Sequence, residues 1–187
     1  MPANGDNPKR VAIFIDGLNV RHRLRECGWE EFFDVNALAR ELAGPRQLVG
    51  AYYYHPAPNR EHLGDQRYGF ERAYLQRVAK DEDVAVPAGA YMAKRTRNSV
   101  VFWTEKLTDV LLASDLVYMA AKDVMDVAIV ASADADIVPA IKRCRELGTP
   151  VELLRFRGSV PRIYELEQAA SSFRRARPAH FKRYDSN

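Results

Sequence analysis

Carboxylates follow two continuous apolar runs of the sequence. Asp16 comes directly after the run at 11–15, and Asp134 and Asp136 follow the run at 127–131 after a short polar turn. Uninterrupted apolar runs of this length are typical of parallel strands that are covered on both faces. Ligands of open parallel sheets bind outside the carboxyl ends of the strands, so both runs are expected to deliver carboxylates to one edge.

A carboxylate from a third segment is expected at the same place. Asp109 stands in the first turn of a helix that the apolar spacing predicts over 107–121. Carboxylates held close together repel, and a cation or a proton has to offset their charge. Ligand sets made only of oxygen favour Mg²⁺ or Mn²⁺, which polarise a phosphate and lower the pKa of a bound water. The candidate metal ligands are therefore Asp16, Asp109, Asp134 and Asp136.

Two polar residues are placed to support this site. Asn19 lies one helical turn after Asp16, where it could orient a water molecule or a substrate phosphate, and Ser132 precedes Asp134 at the second strand end. Each acid also has a purely structural interpretation. A turn would account for Asp16, and helix capping would account for Asp134. Asp109 and Asp136 would each interact favourably with a helix dipole from the first helical turn.

Strand and helix patterns alternate along the rest of the chain. Strands are predicted at 11–16, 48–54, 84–93, 100–103, 127–131 and 151–156, and helices at 18–26, 34–42, 61–80, 107–121, 137–147 and 163–173. A basic loop or hairpin is expected before the fourth strand, and Thr108 is expected to cap the fourth helix. Asp115 falls on another face of that helix than Asp109 and is interpreted as a surface charge, with a supporting role in the site as the alternative. This alternation predicts an α/β domain of three layers around a central, mostly parallel sheet.

Composition places the chain among ordinary globular proteins. It has 187 residues, of which 47% are hydrophobic and 28% charged, as expected for one domain. No apolar run approaches the roughly 20 residues of a membrane helix, and the N-terminus lacks the apolar core of a secretory signal. A cytoplasmic location without a membrane partner is therefore expected. We divide the chain into a disordered start at 1–9, a domain at 10–173 and a basic tail at 174–187.

Histidines and cysteines show no metal-binding pattern. Cys27 and Cys144 occur in no CxxC motif and near no histidine pair, which argues against structural zinc. The four histidines are expected mostly to face solvent.

Basic residues form separate clusters, and the net charge of +3 suits an anionic partner. In the first helix, Arg23 lies four residues after Asn19 and is the arginine expected on the acidic side. A basic segment precedes the predicted hairpin strand, and Lys106 is close in sequence to Asp109. The predicted nucleic-acid-binding residues are Arg23, Lys94, Arg95, Arg97 and Lys106. For each of them a solvated surface charge is the alternative interpretation.

Three segments resemble the NYN domain family, a branch of the PIN-like nuclease superfamily. Residues 14–19 (FIDGLN) match its strand-end DGxN, residues 105–116 (EKLTDVLLASDL) are similar to its EKxxDVxLAxDL, and residues 130–139 (VASADADIVP) are similar to its SGDxDFxP. The resemblance spans about 11–156 and is greatest to the bacterial LabA-like group. Ala133 replaces the usual glycine and Ile137 the usual aromatic residue of the third motif, and neither change removes a candidate ligand.

The resemblance implies a PIN-like fold and the Mg²⁺- or Mn²⁺-dependent cleavage of RNA phosphodiesters by a metal-activated water. The family's acidic positions map onto the four candidate ligands and its polar partner onto Asn19. Ser132 and Lys106 are expected to support them. The implied partner is RNA, single-stranded or structured, and a homo-oligomer is left open.

Two other functions are weighed against the ribonuclease. The main alternative is a catalytically silent module that binds RNA or a protein partner. A phosphatase of small phosphate esters would share the metal. However, Leu18 stands where aspartyl-phosphate enzymes place a second aspartate.

Overall fold

The computed structural model describes residues 8–95, 101–156 and 163–183. In chain order its strands and helices are β1 (Arg10–Asp16), α1 (Gly17–Glu26), α2 (Val35–Ala43), β2 (Gln47–Pro56), α3 (Arg60–Leu63), α4 (Asp65–Val78), β3 (Val84–Ala85), β4 (Ala88–Arg95), β5 (Val101–Lys106), α5 (Thr108–Ala121), β6 (Val127–Ala131), α6 (Val138–Glu146), β7 (Val151–Arg155), α7 (Ile163–Ala169) and β8 (Ser172–Arg175). The expectations for Arg97, for 1–7 and for 184–187 lie outside the described residues.

One sheet runs through the whole described structure. Its strand order is β5-β4-β2-β1-β6-β7-β8, with β3 also paired to β2. The pairs are parallel except for β4 and β5, which form an antiparallel hairpin. The predicted α/β fold with a mostly parallel sheet is confirmed, and so is the hairpin that was one of two possibilities before the fourth predicted strand.

The central strand β1 is buried on both faces and alternates between two cores. Val11, Ile13 and Ile15 pack with α1, α2 and α4 on one face of the sheet. Ala12 and Phe14 pack with α5, α6 and α7 on the other face. Successive side chains of a strand point to opposite faces, so Asp16 continues the second set and points to the α5 side.

Two predicted helices differ from the observed ones. The helix predicted over 61–80 is two helices, because the chain turns at Gly64 with a positive φ of 74°. The helix predicted over 163–173 ends at Ala169, and the chain then adds strand β8 beside β7. Strand β8 is Ser-Phe-Arg-Arg, which is too short to show a helical or a strand period, and it is a strand because it pairs with β7. After β8, Phe181 is buried in the core on the α1 side.

No helix in the described part of the chain is long and apolar enough to span a membrane.

Candidate functional site

Asp16 ends β1 and at the same time caps α1. Its Oδ1 accepts a hydrogen bond of 3.1 Å from the backbone N–H of Asn19, and the residue is only 4% exposed. Gly17 follows because no larger residue fits. A Cβ atom there would lie 2.6 Å from Cζ of Tyr53 and 2.8 Å from the carbonyl oxygen of Tyr54. The Asp-Gly pair is thus a strand end that turns sharply into a helix while keeping its carboxylate inside.

Ser132 and Asn19 join the first and third motifs. The hydroxyl of Ser132 donates to Oδ2 of Asp16 at 3.0 Å, and the backbone N–H of Asp134 donates to the same hydroxyl oxygen at 3.0 Å. Oδ1 of Asn19 accepts the backbone N–H of Ala133 at 2.9 Å. Because the Ser132 oxygen already accepts one bond, its single proton is directed to Asp16. Asn19 therefore orients the third motif in this structure.

Asp134 and Asp136 lie at a short 3-10 turn, 135–137, that precedes α6. Asp134 caps this turn, since its Oδ1 accepts the backbone N–H of Asp136 at 2.9 Å. The capping interpretation of Asp134 is thus observed, with the 3-10 turn in place of α6 itself. Asp134 is half-buried and Asp136 is exposed.

Asp109 lies in the first turn of α5, as predicted, but the cap of that helix differs. The carboxylate of Glu105 accepts the backbone N–H of Thr108 at 3.0 Å. Thr108 is not the cap: it is buried, and its hydroxyl has no hydrogen-bond partner among the described residues. Leu107, which lies between Glu105 and Thr108, has a positive φ of 79°. Glu105 was not predicted as a site residue, although Glu105 opens the second motif four residues before Asp109.

The carboxylates of the three motifs interact with one another electrostatically. Burial raises the pKa of Asp16 to about 7, and the negative charges of Asp109 and Asp134 add to the rise. Burial also raises the pKa of Asp109 to about 6, with further contributions from Glu105, Asp134 and Asp136. The carboxylates of the three motifs therefore lie near enough to one another to oppose ionisation.

The donor chemistry of this cluster fits a divalent cation, although its geometry is incomplete. Asp16, Asp109 and Asp134 offer only oxygen, and none of them forms an ion pair with a lysine or arginine of the described chain. Within those same residues, no three histidine, cysteine or carboxylate side chains converge on one metal position as they stand. Side-chain rotation is needed before three of these acids can share an ion.

Asp115 is not an isolated surface charge, and its contacts fit the supporting role that was the alternative. Its Oδ2 accepts a hydrogen bond of 3.0 Å from the hydroxyl of Tyr54. Tyr54 is the β2 partner of Asp16 in the strand register. Because α5 packs over the end of β2, Asp115 anchors the buried Tyr54 next to the acidic cluster.

The predicted nucleic-acid-binding residues that the structure describes lie on three elements, α1, β4 and β5. Arg23 on α1 pairs with Glu26 at 2.6 Å. Lys94 and Arg95 are exposed at the end of β4, and Lys106 is exposed at the end of β5. Lys106 makes no hydrogen bond or ion pair to the acids within the described stretches.

A second polar network, which no sequence pattern predicts, lies on the opposite face of the sheet. Arg21, 1% exposed, donates two hydrogen bonds of 2.7 Å to the carboxylate of Glu71. Arg21 also lies 3.1 Å from Nε2 of His55. Burial lowers the pKa of His55 to about 4, so the neutral ring accepts from Arg21 and donates from Nδ1 to the carbonyl of Pro56. His55 and His180 are buried, which corrects their expected exposure.

Comparison with known proteins places the chain in a family. The model of the NYN domain matches residues 10–177. The crystal structure of a protein of unknown function from Vibrio parahaemolyticus is 22% identical with a TM-score of 0.67, covering 95% of this chain and 98% of that one. MurG from Acinetobacter baumannii is 14% identical over 95% of this chain and 44% of its own, with a TM-score of only 0.44.

No curated protein matches the sequence. The similarity to the Vibrio structure concerns the fold, whereas the family model concerns the sequence itself. Since that model spans most of the chain, the protein belongs to the NYN domain family, whose members have a PIN-like α/β fold and are generally nucleases.

Proposed function

We propose that this protein is a metal-dependent ribonuclease of the LabA-like branch. The observation that carries the proposal is the acidic cluster at the carboxyl edge of the sheet. Asp16, Asp109 and Asp134 come from three distant segments, and none of them has a cationic side chain as a partner in the described structure. The charges of Asp109 and Asp134 add to the raised pKa of Asp16, and that of Asp134 adds to the raised pKa of Asp109. Uncompensated carboxylates at a strand edge call for a cation.

The side chains of the cluster have distinct roles in this proposal. Asp16, Asp109, Asp134 and Asp136 would hold Mg²⁺ or Mn²⁺, which when bound supplies a Lewis acid for the phosphate and a water of lowered pKa. Ser132 holds the Asp16 carboxylate in one orientation through its hydroxyl. Asn19 fixes the loop that carries Asp134 by accepting the Ala133 N–H. Lys106 and the exposed basic residues of β4 would attract the RNA backbone.

A cleavage assay tests the proposal directly. Labelled single-stranded and hairpin RNA are incubated with the protein in Mn²⁺, in Mg²⁺ and in EDTA. We expect cleavage that requires the metal and that is lost in Asp16→Asn. The matched control is Asp65→Asn, which removes a carboxylate with an 85% exposed side chain on α4 and should cleave like the parent. Cleavage in EDTA, or full cleavage by Asp16→Asn, would overturn the proposal.

The silent RNA-binding module remains the second candidate, and one observation favours it. The carboxylates do not converge on one position among the described residues. Isothermal titration with Mn²⁺ separates the two candidates. A metal-dependent enzyme binds Mn²⁺ and loses this binding in the Asp16→Asn, Asp134→Asn double variant. A silent module binds RNA in EDTA and gives no Mn²⁺ signal that depends on these two residues.

A further inference from the structure

The hairpin of β4 and β5 presents two chemically different faces. Its register pairs Tyr91 with Glu105, Ala93 with Trp103 and Arg95 with Val101. These residues lie on one face because side chains alternate along each strand and directly paired residues share a side. The opposite face carries Ala90, Met92, Lys94, Phe102, Thr104 and Lys106. Trp103 and Phe102 are therefore neighbours in sequence that point in opposite directions.

Three rings meet on the first face. The ring of His62, on α3, lies 4.5 Å from that of Tyr91 and 5.6 Å from that of Trp103, measured between centroids, with tilted ring planes. His62 is exposed, and Tyr91 and Trp103 are half-buried. We call these three residues the aromatic cluster. The His62 ring packs against both of the others, and all three residues keep part of their surface exposed.

Glu105 connects the aromatic cluster to the acidic site. It shares the hairpin face of Tyr91 and Trp103, and its carboxylate bonds the backbone N–H of Thr108 at the start of α5. Its charge also contributes to the raised pKa of Asp109. Glu105 therefore connects the face of the aromatic cluster to the first turn of α5, which carries Asp109.

One exposed cation lies beside the aromatic cluster. Arg95 is exposed on the same face, two residues beyond Ala93, the cross-strand partner of Trp103. It makes no ion pair with a carboxylate in the described ranges. Open aromatic rings beside an unpaired cation are the combination that binds single-stranded nucleic acid, because every base has a face that can stack on an aromatic ring.

We propose that the aromatic cluster stacks an unpaired base of single-stranded RNA whose backbone continues to the acidic site. This inference rests on the proposed function and names its substrate class. Arg95 contacts a phosphate next to the stacked base. Bases of a continuous duplex are stacked on each other and closed to side chains. The hairpin face would therefore select unpaired segments of RNA over helical ones.

Tryptophan fluorescence gives a direct readout of the proposed stacking. The chain has two tryptophans, so Trp29→Phe leaves Trp103 as the only one. We expect single-stranded RNA, added in EDTA to prevent cleavage, to quench Trp103, whereas duplex RNA of equal length leaves its emission nearly unchanged. An unquenched Trp103 with RNA bound, or equal quenching by the duplex, would overturn the inference.

Binding by paired variants provides the second measurement. We expect Trp103→Ala to bind single-stranded RNA about tenfold more weakly, as is usual for the loss of one stacked base. Trp103→Phe, which keeps a ring, should recover most of the affinity, and Phe102→Ala, on the opposite hairpin face, should bind like the parent. An equal loss in Phe102→Ala, or none in Trp103→Ala, would contradict the inference.

The outcomes separate this inference from the proposed ribonuclease activity. Stacking on Trp103 without metal-dependent cleavage retains the RNA site and rejects the enzyme. Cleavage that is indifferent to Trp103 retains the enzyme and rejects the site. If the quenching of Trp103 depends on protein concentration and sedimentation shows dimers, the hairpin face binds a second copy of the chain. That outcome would overturn the inference.

Discussion

The side-chain oxygen of Asn19 accepts the backbone N–H of Ala133 at 2.9 Å, across a sequence separation of 114 residues. This bond joins the first turn of α1 to the loop after β6. Both loops carry carboxylates of the acidic cluster, Asp16 on one side and Asp134 on the other. Asn19 is therefore a structural clamp between two motifs, a more specific role than the orientation of water that its spacing suggested.

Asn19→Ala should weaken both the fold and the cluster. The variant leaves the buried N–H of Ala133 without its acceptor, which costs roughly 1–3 kcal/mol of the free energy of unfolding. Urea unfolding measures this loss, and Mn²⁺ titration should reveal weaker binding as well. Asp34→Ala, which removes a similar bond to the N–H of Ala37 on α2, is the control. It should lose stability and keep its Mn²⁺ affinity, and equal losses of Mn²⁺ affinity would argue against the clamp.

In the metal-free protein, ionisation of the buried Asp16 should lower the free energy of unfolding as the pH rises. Its pKa is about 7 in the folded state against an ordinary value of 3.8. The folded state therefore binds more protons than the unfolded state between these values, and the free energy of unfolding falls across that range. His55 acts in the opposite direction, because its pKa is lowered to about 4 and its contribution rises with pH.

Comparing Asp16→Asn with the parent separates the pH-dependent contribution of Asp16 to stability from that of His55. Without an ionisable group at 16, the variant should gain stability over the parent between pH 5 and pH 8, on the order of 2–4 kcal/mol at the upper end. Urea unfolding of both proteins in EDTA at the two pH values measures the difference. A difference that stays constant with pH would mean that Asp16 ionises normally in the folded chain.

Gly17→Ala should be strongly destabilising. The added Cβ would lie 2.6 Å from the Tyr53 ring and 2.8 Å from the Tyr54 carbonyl oxygen, so β2 or α1 has to move, at a cost of about 1–3 kcal/mol or more. Gly69→Ala is the control, because nothing lies within 4 Å of its added Cβ on α4. There alanine should raise stability by roughly 0.5–1 kcal/mol. Equal effects at the two sites in thermal unfolding would contradict the close approach at Gly17.

Glu71→Gln should cost far more stability than the loss of a surface pair. The buried guanidinium of Arg21 would keep its charge and lose the bidentate carboxylate, which costs about 3–5 kcal/mol in comparable buried pairs. Glu26→Gln breaks the half-exposed pair with Arg23 and should cost less than about 1 kcal/mol. Urea unfolding compares the two variants, and similar losses would mean that Glu31, 3.5 Å from Arg21, replaces Glu71.

Local patterns predicted most of the fold but only part of the site. The apolar runs before Asp16 and Ser132 identified β1 and β6, because strands buried on both faces have few alternatives. The Arg21–Glu71 pair escaped prediction because its partners are separated by 50 residues and each looks like a surface charge on a helix. The contact of Asp115 with Tyr54 escaped prediction because helix periodicity says nothing about a tyrosine that reaches across from β2. Strand β8 resembled the end of a helix until the free edge of β7 was known.

The pairing of β1 with β6 fixes when the acidic cluster can form during synthesis. Asp16 leaves the ribosome before Ser132, whose hydroxyl orients it and which follows 116 residues later. Contacts of such long range form only after the intervening chain has been made. A nascent chain that has not yet produced β6 carries Asp16 without Ser132, Asp134 or Asp136. The protein therefore emerges beside ribosomal and messenger RNA with its carboxylates still apart.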